Sequence, residues 1–176
     1  MANTVIAVAD LQVRSYQLFE NQWLLLTSGD YSKGKYNAMT IAWGTIGSMW
    51  SKPIVQVVVR PTRYTFEFMN EYTTFTVCAF PKEYRKALAL LGAKSGRDGD
   101  KITEAGITPI AAQKITAPTY LEASLTLECE KIYWADMLPE HFLDENIHQK
   151  YPDKDYHRIY FGEIKAAYGD ASLYSK

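Results

Sequence analysis

Hydrophobic and polar positions alternate along several stretches of the chain, and this pattern predicts strands. The longest example is LEASLTLECEKIYW (121–134), in which leucine, alanine and cysteine positions alternate with glutamate, serine and threonine positions. A period of two places one set of side chains on a buried face and the other on a wet face. The pattern therefore predicts a half-buried strand with Glu122, Glu128 and Glu130 in solvent.

Five other segments have the β-branched and aromatic content that is typical of strands. They cover residues 21–29, 38–47, 52–60, 75–80 and 156–168. The middle segment, KPIVQVVVR, is apolar almost throughout, which indicates a strand that is buried on both faces. About six strands with few helices predict a mainly β fold, an antiparallel barrel with a few short covering helices. Closing the sheet into a barrel also removes exposed strand edges.

Two amphipathic segments between the strands predict helices. Residues 81–92 begin with Pro81 and end with Gly92, residue types that favour a helix start and a helix stop. Residues 63–70 predict a second helix, for which Thr62 is a good N-cap. Shorter helical turns are predicted within 102–106 and 139–155.

Length, composition and charge indicate a single globular domain. The chain has 176 residues, of which 47% are apolar and 22% charged, and its formal net charge is −1. A chain of this length buries a sizeable core, so residues 1–176 are predicted to form one domain. A net charge this small creates no field that would attract nucleic acid. No apolar run approaches the roughly 18 residues of a membrane span, and no signal peptide is evident, so we expect a cytoplasmic protein without nucleic-acid or membrane partners.

The cysteines and histidines do not predict a metal site. Cys78 and Cys129 lie in strand-like runs without CxxC spacing, and we expect both to be free and buried. His141 and His148 are close enough in sequence to share one face of a helix and bind a metal, but no further ligand pattern surrounds them. A solvated helix is the favoured interpretation of that segment.

The stretch VVVRPTRYTFEF (57–68) carries the first candidate chemistry. A proline ends a buried strand there, and a helix is predicted to follow. Unpaired N–H groups at a helix start, with Arg60, Arg63 and threonine hydroxyls beside them, form an anion pocket that suits a phosphate monoester. This stretch alone leaves open the alternative that both arginines are ordinary surface charges at a strand end.

The preceding stretch, NAMTIAWGTIGSMWSKP (37–53), combines small residues with an amide, methionines and tryptophans. A strand of this kind offers backbone polar groups to a flat heteroaromatic ring, while Met39 and Trp43 supply apolar contact. The alternative is plain core packing, with Trp50 filling the barrel.

Four fragments in order resemble the flavin reductase-like family, the flavoredoxin branch of the FMN-binding split barrels. They are NAMTIAWG with the following KP, VVVRPTRYT, SGRDGDK and HRIYFGEI, and the resemblance extends from about Trp23 to Ile164. The resemblance implies an antiparallel split β-barrel and a homodimer with FMN at or near its interface. It also implies electron transfer from NAD(P)H through the flavin to an unidentified acceptor. Gly99 departs from the pattern, because relatives often carry a larger residue there.

The resemblance also implies which residues bind the cofactor. One group borders the flavin ring and ribityl chain, a second holds the phosphate, and a third forms another polar loop. In that order, the groups are Asn37, Ala38, Met39 and Thr40; Arg60, Arg63, Tyr64 and Thr65; and Ser95, Gly96, Arg97 and Lys101. His157 matches a histidine often found in the last strand near the ring. It is either a core or interface residue or a catalytic group that bonds the flavin or donates a proton.

The leading functional hypothesis is an FMN-binding oxidoreductase that passes electrons from NAD(P)H to a flavin, ferric or protein acceptor. A flavin carries its own reactivity, so the absence of a catalytic triad or carboxylate pair from the sequence is no obstacle. The alternative is a non-enzymatic FMN-binding electron carrier that a partner protein reduces. It stays open because the sequence has no dinucleotide-binding fingerprint. A third hypothesis is a relative that has kept the barrel and lost the cofactor.

Overall fold

The chain folds around one antiparallel sheet. The computed structural model describes residues 4–175. Its strands are β1 (Thr4–Ile6), β2 (Leu24–Asp30), β3 (Lys35–Ile41), β4 (Gly44–Met49), β5 (Lys52–Val59), β6 (Thr74–Ala79), β7 (Pro109–Ile110), β8 (Thr119–Tyr120), β9 (Leu125–Asp136) and β10 (Arg158–Gly169). Eight of them form the main sheet in the order β3-β2-β6-β9-β10-β5-β4, with β1 also paired to β10, while β7 and β8 pair separately. The predicted mainly β, antiparallel architecture is confirmed.

Short helices cover the sheet, as predicted. The α-helices are α1 (Ser15–Gln17), α2 (Tyr64–Glu71), α3 (Arg85–Ala93), α4 (Lys101–Glu104) and α5 (Ala171–Tyr174). A π-helical turn follows α1 at Leu18–Gln22, and 3-10 turns lie at Val8–Asp10, Lys82–Tyr84, Gly96–Asp98, Pro139–His141 and Glu145–Lys150. The predicted helix over 81–92 is confirmed, although Gly92 lies inside α3 rather than after it.

The barrel is split between β3 and β4. The sequence predicts one strand over 38–47, and this is wrong, because β3 pairs with β2 whereas β4 pairs with β5 at the far end of the sheet. The chain crosses the gap at Ala42 and Trp43 and resumes at Gly44. A Cβ on Gly44 would lie 2.4 Å from the carbonyl oxygen of Gln56 and 2.5 Å from the ring of Phe19. Only glycine therefore allows β4 to pack this closely.

The core has an inner and an outer part. Inside the barrel, Phe75 and Tyr160 are fully buried beside Cys129. Outside it, α3 and α4 cover a second cluster that contains Cys78 and Tyr120. Each large side chain buried in this way contributes about 1.5–3 kcal/mol. Both cysteines are free and buried, as predicted.

The wet face predicted for the strand over 121–134 is only partly correct. β9 begins at Leu125, and Glu128 has no exposed surface. Its carboxylate accepts hydrogen bonds from the N–H groups of Gln113 and Lys114 at 2.6 and 2.7 Å and from the Tyr168 hydroxyl at 2.8 Å. The predicted exposure of Glu128 is therefore wrong, because a loop distant in sequence covers this face.

The two neighbouring glutamates behave differently from Glu128. Glu130 is exposed, as predicted, and pairs with Lys165 at 3.4 Å. Glu122 precedes the strand, is half-buried, and accepts hydrogen bonds from the N–H group of Thr108 at 2.9 and 3.1 Å. A single period of two thus applies to only part of the segment.

Trp50 does not fill the barrel, contrary to the core-packing alternative. It lies in the turn between β4 and β5, where 57% of its surface is exposed. Its ring centroid lies 5.8 Å from that of Tyr133 and 5.9 Å from that of Phe161. A tight turn with positive φ at Trp50 and Ser51 directs the side chain outward over the sheet.

The segment over 139–155 is not one helix, so His141 and His148 do not share a helical face. Two separate 3-10 turns carry them, and the Nδ1 atom of His148 lies 2.8 Å from the hydroxyl of Tyr156. Within residues 4–175, no cluster of three or more histidine, cysteine, aspartate or glutamate side chains could hold a metal. No helix in that range is both long and apolar enough to cross a membrane.

Candidate functional site

The start of α2 is open. Arg63 occupies the N-cap position in an extended conformation, and its side chain makes no capping hydrogen bond. The prediction that Thr62 caps this helix is wrong, because the Thr62 hydroxyl donates to the carboxylate of Asp155 at 3.2 Å. The first N–H groups of a helix have no partner within the helix, and they give this end a partial positive charge.

A small cavity adjoins this helix start. Its volume is about 70 Å³. It is lined by Asn37, Met39, Thr62, Arg63, Tyr64, Thr65, Leu91, Gly92, Ala93, Lys94, Ser95, Gly96 and Lys101. The structure thus brings together members of all three predicted cofactor-binding groups. A larger groove of about 1580 Å³, beside the N-terminal segment and the start of α3, contains none of the predicted residues.

The wall of the cavity is tightly built around Asn37. The Asn37 side-chain amide donates to the Thr65 hydroxyl at 2.7 Å, which joins β3 to α2. A Cβ on Gly96 would lie 2.1 Å from the Asn37 side-chain oxygen and 3.0 Å from the Tyr64 ring. Glycine at 96 therefore allows the loop over 95–99 to approach Asn37 and Tyr64. Gly99 has a φ of 133°, a conformation that favours glycine over any larger residue.

Two of the three cations that line the cavity, Arg63 and Lys101, have no carboxylate partner among residues 4–175, whereas Lys94 pairs with Glu104. Lys101 is 4% exposed, and its ammonium group donates to the carbonyls of Leu91 and Lys94 at the end of α3, both at 2.9 Å. Burial, followed by the charge of Arg63, lowers the pKa of Lys101 to about 8. In the part of the chain that the structure describes, neither Lys101 nor Arg63 forms a salt bridge. A bound anion would relieve their mutual repulsion.

Arg97 lies at the rim of the cavity rather than inside it. Its guanidinium pairs with Glu67 of α2 and lies 4.8 Å above the Tyr64 ring. These contacts hold the loop over 95–99 against α2. Ser95 supports the same loop by accepting the Arg97 N–H at 3.2 Å.

Arg60 is not brought into the cavity. Its guanidinium donates to both carboxylate oxygens of Asp155, at 2.8 and 3.1 Å, and to the Lys150 carbonyl at 2.6 Å. It also lies 4.9 Å from the centre of the Tyr151 ring. Through these contacts Arg60 holds the loop before β10. Arg60 does not line the cavity, although it lies close to Arg63 in the sequence.

His157 lies next to Trp43, with their ring centroids 5.2 Å apart. The imidazole is buried, and its Nδ1 atom lies 2.8 Å from the Tyr151 hydroxyl. Burial lowers the pKa of His157 to about 4, and the charges of Arg60 and Arg63 act in the same direction. The imidazole is therefore neutral near neutral pH.

Ala38 and Thr40 face away from the cavity. Successive side chains of a strand point to opposite faces, so both lie opposite Asn37 and Met39. Ala38 is fully buried in the outer cluster, and the Thr40 hydroxyl donates to the Leu88 carbonyl of α3 at 2.5 Å. Both residues support the helix that forms the far wall of the cavity.

Sequence reasoning missed Tyr151 and Asp155. Both lie in a segment interpreted as a polar loop, yet Tyr151 contacts His157 and Asp155 pairs with Arg60. The available signal was the sequence YPDKDYH (151–157), in which two tyrosines precede the histidine within a few residues.

Comparison with known proteins supports the same assignment of fold. A family model described as "Flavin reductase like domain" matches residues 16–175. The structure is similar to an FMN-binding domain of a flavin reductases-like enzyme from Shewanella baltica OS155, with 19% identity, 97% of this chain and 78% of that chain covered, and a TM-score of 0.70. It is also similar to a flavoredoxin from Methanosarcina acetivorans, with 26% identity, coverage of 84% and 68%, and a TM-score of 0.66. The predicted split barrel is thereby confirmed.

The curated relatives are longer than the part that this chain matches. An uncharacterized protein of Pyrococcus abyssi (strain GE5 / Orsay) is 27% identical over 113 residues, which are 64% of this chain and 63% of that protein. An uncharacterized protein of Aeropyrum pernix is 27% identical over 137 residues, 77% of this chain and 45% of that protein. The chain thus spans about half to two thirds of the length of the curated relatives that it matches.

Proposed function

The chain belongs to the flavin reductase-like domain family, and from this premise we propose that it binds FMN and transfers electrons from NAD(P)H to a flavin, ferric or protein acceptor. The observation that carries the proposal is the cavity at the start of α2, where Arg63 and Lys101 lie together without a carboxylate. This is the charge arrangement that a phosphate group needs.

The residues of the cavity fit the phosphate end of FMN. The N–H groups that begin α2 and the Arg63 guanidinium are donors, and the ammonium group of Lys101 adds a second charge. Gly96 leaves room where any side chain would meet Asn37. This role is not proposed for Arg60, which pairs with Asp155 instead.

The flavin ring would extend from the cavity toward apolar side chains. Met39 lines the cavity, and Trp43 is 43% exposed beside His157. When bound, a flavin supplies the redox chemistry by accepting electrons from a nicotinamide. The chain's own contribution is to hold the phosphate, orient the ring and exclude water from one side of it.

A homodimer is part of the proposal. Trp50 and Tyr133 expose 57% and 48% of their surface on one side of the sheet, near Phe161. Aromatic residues exposed together on a monomer mark interaction surfaces. A second copy of this chain is the occupant that the family resemblance implies.

Flavin binding and reduction test the proposal directly. We expect the purified protein to take up FMN, to give a two-banded yellow spectrum, and to lose that colour when NADH or NADPH is added without oxygen. Failure to bind FMN would overturn the site, whereas bound FMN that neither nucleotide bleaches would overturn the reductase activity alone.

The similarity to the flavoredoxin from Methanosarcina acetivorans favours one second candidate, an electron carrier that a partner protein reduces. A carrier needs the FMN site but no nicotinamide site. Fast reduction by a redox protein combined with slow bleaching by NADH and NADPH would support the carrier over the enzyme.

The affinity for FMN is expected to fall as pH rises through about 8, the pKa of Lys101. A bound phosphate stabilises the charged ammonium, so the pKa is higher in the complex than in the free protein. Above the free-state pKa, binding must then take up a proton, which weakens it by up to about tenfold per pH unit. Titrations with FMN between neutral pH and about 9.5 measure this slope.

Riboflavin and Lys101→Met are the controls for this pH dependence. Riboflavin has no phosphate, so its affinity should not follow the titration of Lys101. Lys101→Met should bind FMN more weakly and with a flat profile over the same range. A flat profile for FMN with the wild-type protein, or the same slope for riboflavin, would contradict the placement of the phosphate beside Lys101.

A further inference from the structure

His157 and Tyr151 form a buried hydrogen-bonded pair. The Tyr151 hydroxyl lies 2.8 Å from Nδ1 of His157, and the two side chains expose only 4% and 8% of their surface. The other neighbour of this hydroxyl is the sulfur of Met137, at 3.8 Å. A thioether is a weak acceptor, whereas a neutral imidazole nitrogen is a good one. This difference favours donation from the hydroxyl to Nδ1 over donation to the sulfur.

The charges around this pair keep both partners in the required protonation states. Arg60 faces the imidazole from the end of β5 and Arg63 from the start of α2, while Asp155 opposes them from the loop before β10. With burial, the net effect lowers the pKa of His157 to about 4. Burial raises the pKa of Tyr151, so its hydroxyl keeps its proton. Near neutral pH, the imidazole thus carries a single proton.

The loop that carries Tyr151 is held in place independently of His157. Arg60 lies over the Tyr151 ring, pairs with Asp155 and donates to the Lys150 carbonyl. The hydroxyl is therefore preorganised rather than free to rotate away from the imidazole.

The other imidazole nitrogen, Nε2, has no hydrogen-bond partner among the described residues. Within residues 4–175, no fully buried side-chain nitrogen or oxygen lacks a partner, and no side chain or backbone group there bonds Nε2 of His157. Nε2 therefore has exposed surface. The exposed ring of Trp43 lies beside the imidazole, with the two ring centroids 5.2 Å apart.

We propose that Tyr151 is a positioning residue that fixes His157 in the tautomer protonated at Nε2, so that the neutral imidazole donates a hydrogen bond to an acceptor atom of the bound flavin ring. The identity of that acceptor rests on the function proposed above. The tautomer does not, because the Tyr151–His157 pair is formed by the protein alone.

The tautomer is measured by nitrogen-15 NMR of histidine-labelled protein without flavin. We expect His157 of the wild-type protein to show the pattern of a neutral ring protonated at Nε2 throughout the range between about pH 5.5 and 8, well above its pKa. Tyr151→Phe removes the hydroxyl but keeps the ring under Arg60, and it should shift His157 to a mixture of tautomers. A wild-type His157 protonated at Nδ1 would overturn the proposal without any variant.

The chain offers a matched control in Tyr156. Its hydroxyl lies 2.8 Å from Nδ1 of His148, the same contact on the outer side of the same loop. Tyr156→Phe should alter the His148 signals and leave His157 unchanged. Equal effects of both variants on His157 would indicate a general loosening of the loop and would contradict a specific role for Tyr151.

Ligand titrations test the donor role. Addition of riboflavin or FMN should shift the Nε2 resonance of His157, and Tyr151→Phe should weaken both ligands equally, by up to roughly tenfold, because they share the ring. Tyr156→Phe should weaken neither. If the wild-type protein binds no flavin, the proposed function fails and the donor role fails with it. If flavin binds but the Nε2 resonance does not move, only the donor role is overturned.

Discussion

Replacement of Glu128 by alanine is expected to lower the free energy of unfolding by about 2–4 kcal/mol, the largest effect on stability expected for a charged residue of the sheet. The carboxylate has no exposed surface and accepts three hydrogen bonds. Its removal leaves the N–H groups of Gln113 and Lys114 and the Tyr168 hydroxyl without their acceptor. It also leaves a cavity where the side chain was.

Two further variants separate the causes of this loss. Glu128→Gln keeps the side-chain volume and one good acceptor. Its free energy of unfolding should therefore lie between those of the wild type and Glu128→Ala. Glu130→Ala removes an exposed glutamate from the same strand, and its pair with Lys165 should contribute less than about 1 kcal/mol. Unfolding in urea, followed by circular dichroism, gives all three values. Similar stabilities for Glu128→Ala and Glu130→Ala would contradict the buried role of Glu128.

The contrast between these two glutamates also shows what a period of two can predict. The alternation correctly identified the buried positions Leu125, Leu127 and Cys129, but it was wrong for Leu121, which is 65% exposed. It does not show whether another part of the chain covers the opposite face. The backbone at Gln113 and Lys114 does so at Glu128, and nothing in the local pattern around either position indicates the other.

The local sequence pattern also fails to distinguish the role of Arg60 from that of Arg63. In the sequence both arginines flank one proline, and the local pattern predicts a phosphate role for each. The difference arises from Asp155, which is 95 positions away in the chain and pairs with Arg60. The helix start and the glycine loop were predictable, because Pro61, Gly96 and Gly99 impose local backbone constraints. The pairing of charges was not, because it depends on tertiary contacts between distant segments.

Trp50 is a further example of a property that local sequence does not specify. Its type and neighbours suit a core residue, yet positive φ angles at Trp50 and Ser51 direct it outward. By contrast, the resemblance to relatives could place the last strand, because it relies on order along the whole chain rather than on the local pattern.

Replacement of Arg63 by alanine is expected to weaken FMN binding by about 1.5–3 kcal/mol, or roughly 10- to 150-fold. Hydrogen bonds between a guanidinium and a phosphate are charge-assisted, and Arg63 lines the cavity without a protein carboxylate as partner. Riboflavin lacks the phosphate, so its affinity should change little. Fluorescence titration of both ligands against the same protein gives the ratio of the two effects.

Arg60→Ala is the matched control, because it removes the same charge three positions earlier in the chain. Arg60 holds Asp155 and Lys150 rather than lining the cavity, so its loss should loosen the loop before β10. Any change in affinity should then be similar for FMN and riboflavin, since that loop lies near His157 and not at the phosphate. Equal losses of FMN and riboflavin binding in Arg63→Ala, or a loss selective for FMN in Arg60→Ala, would show that the phosphate is held by the other arginine or lies elsewhere.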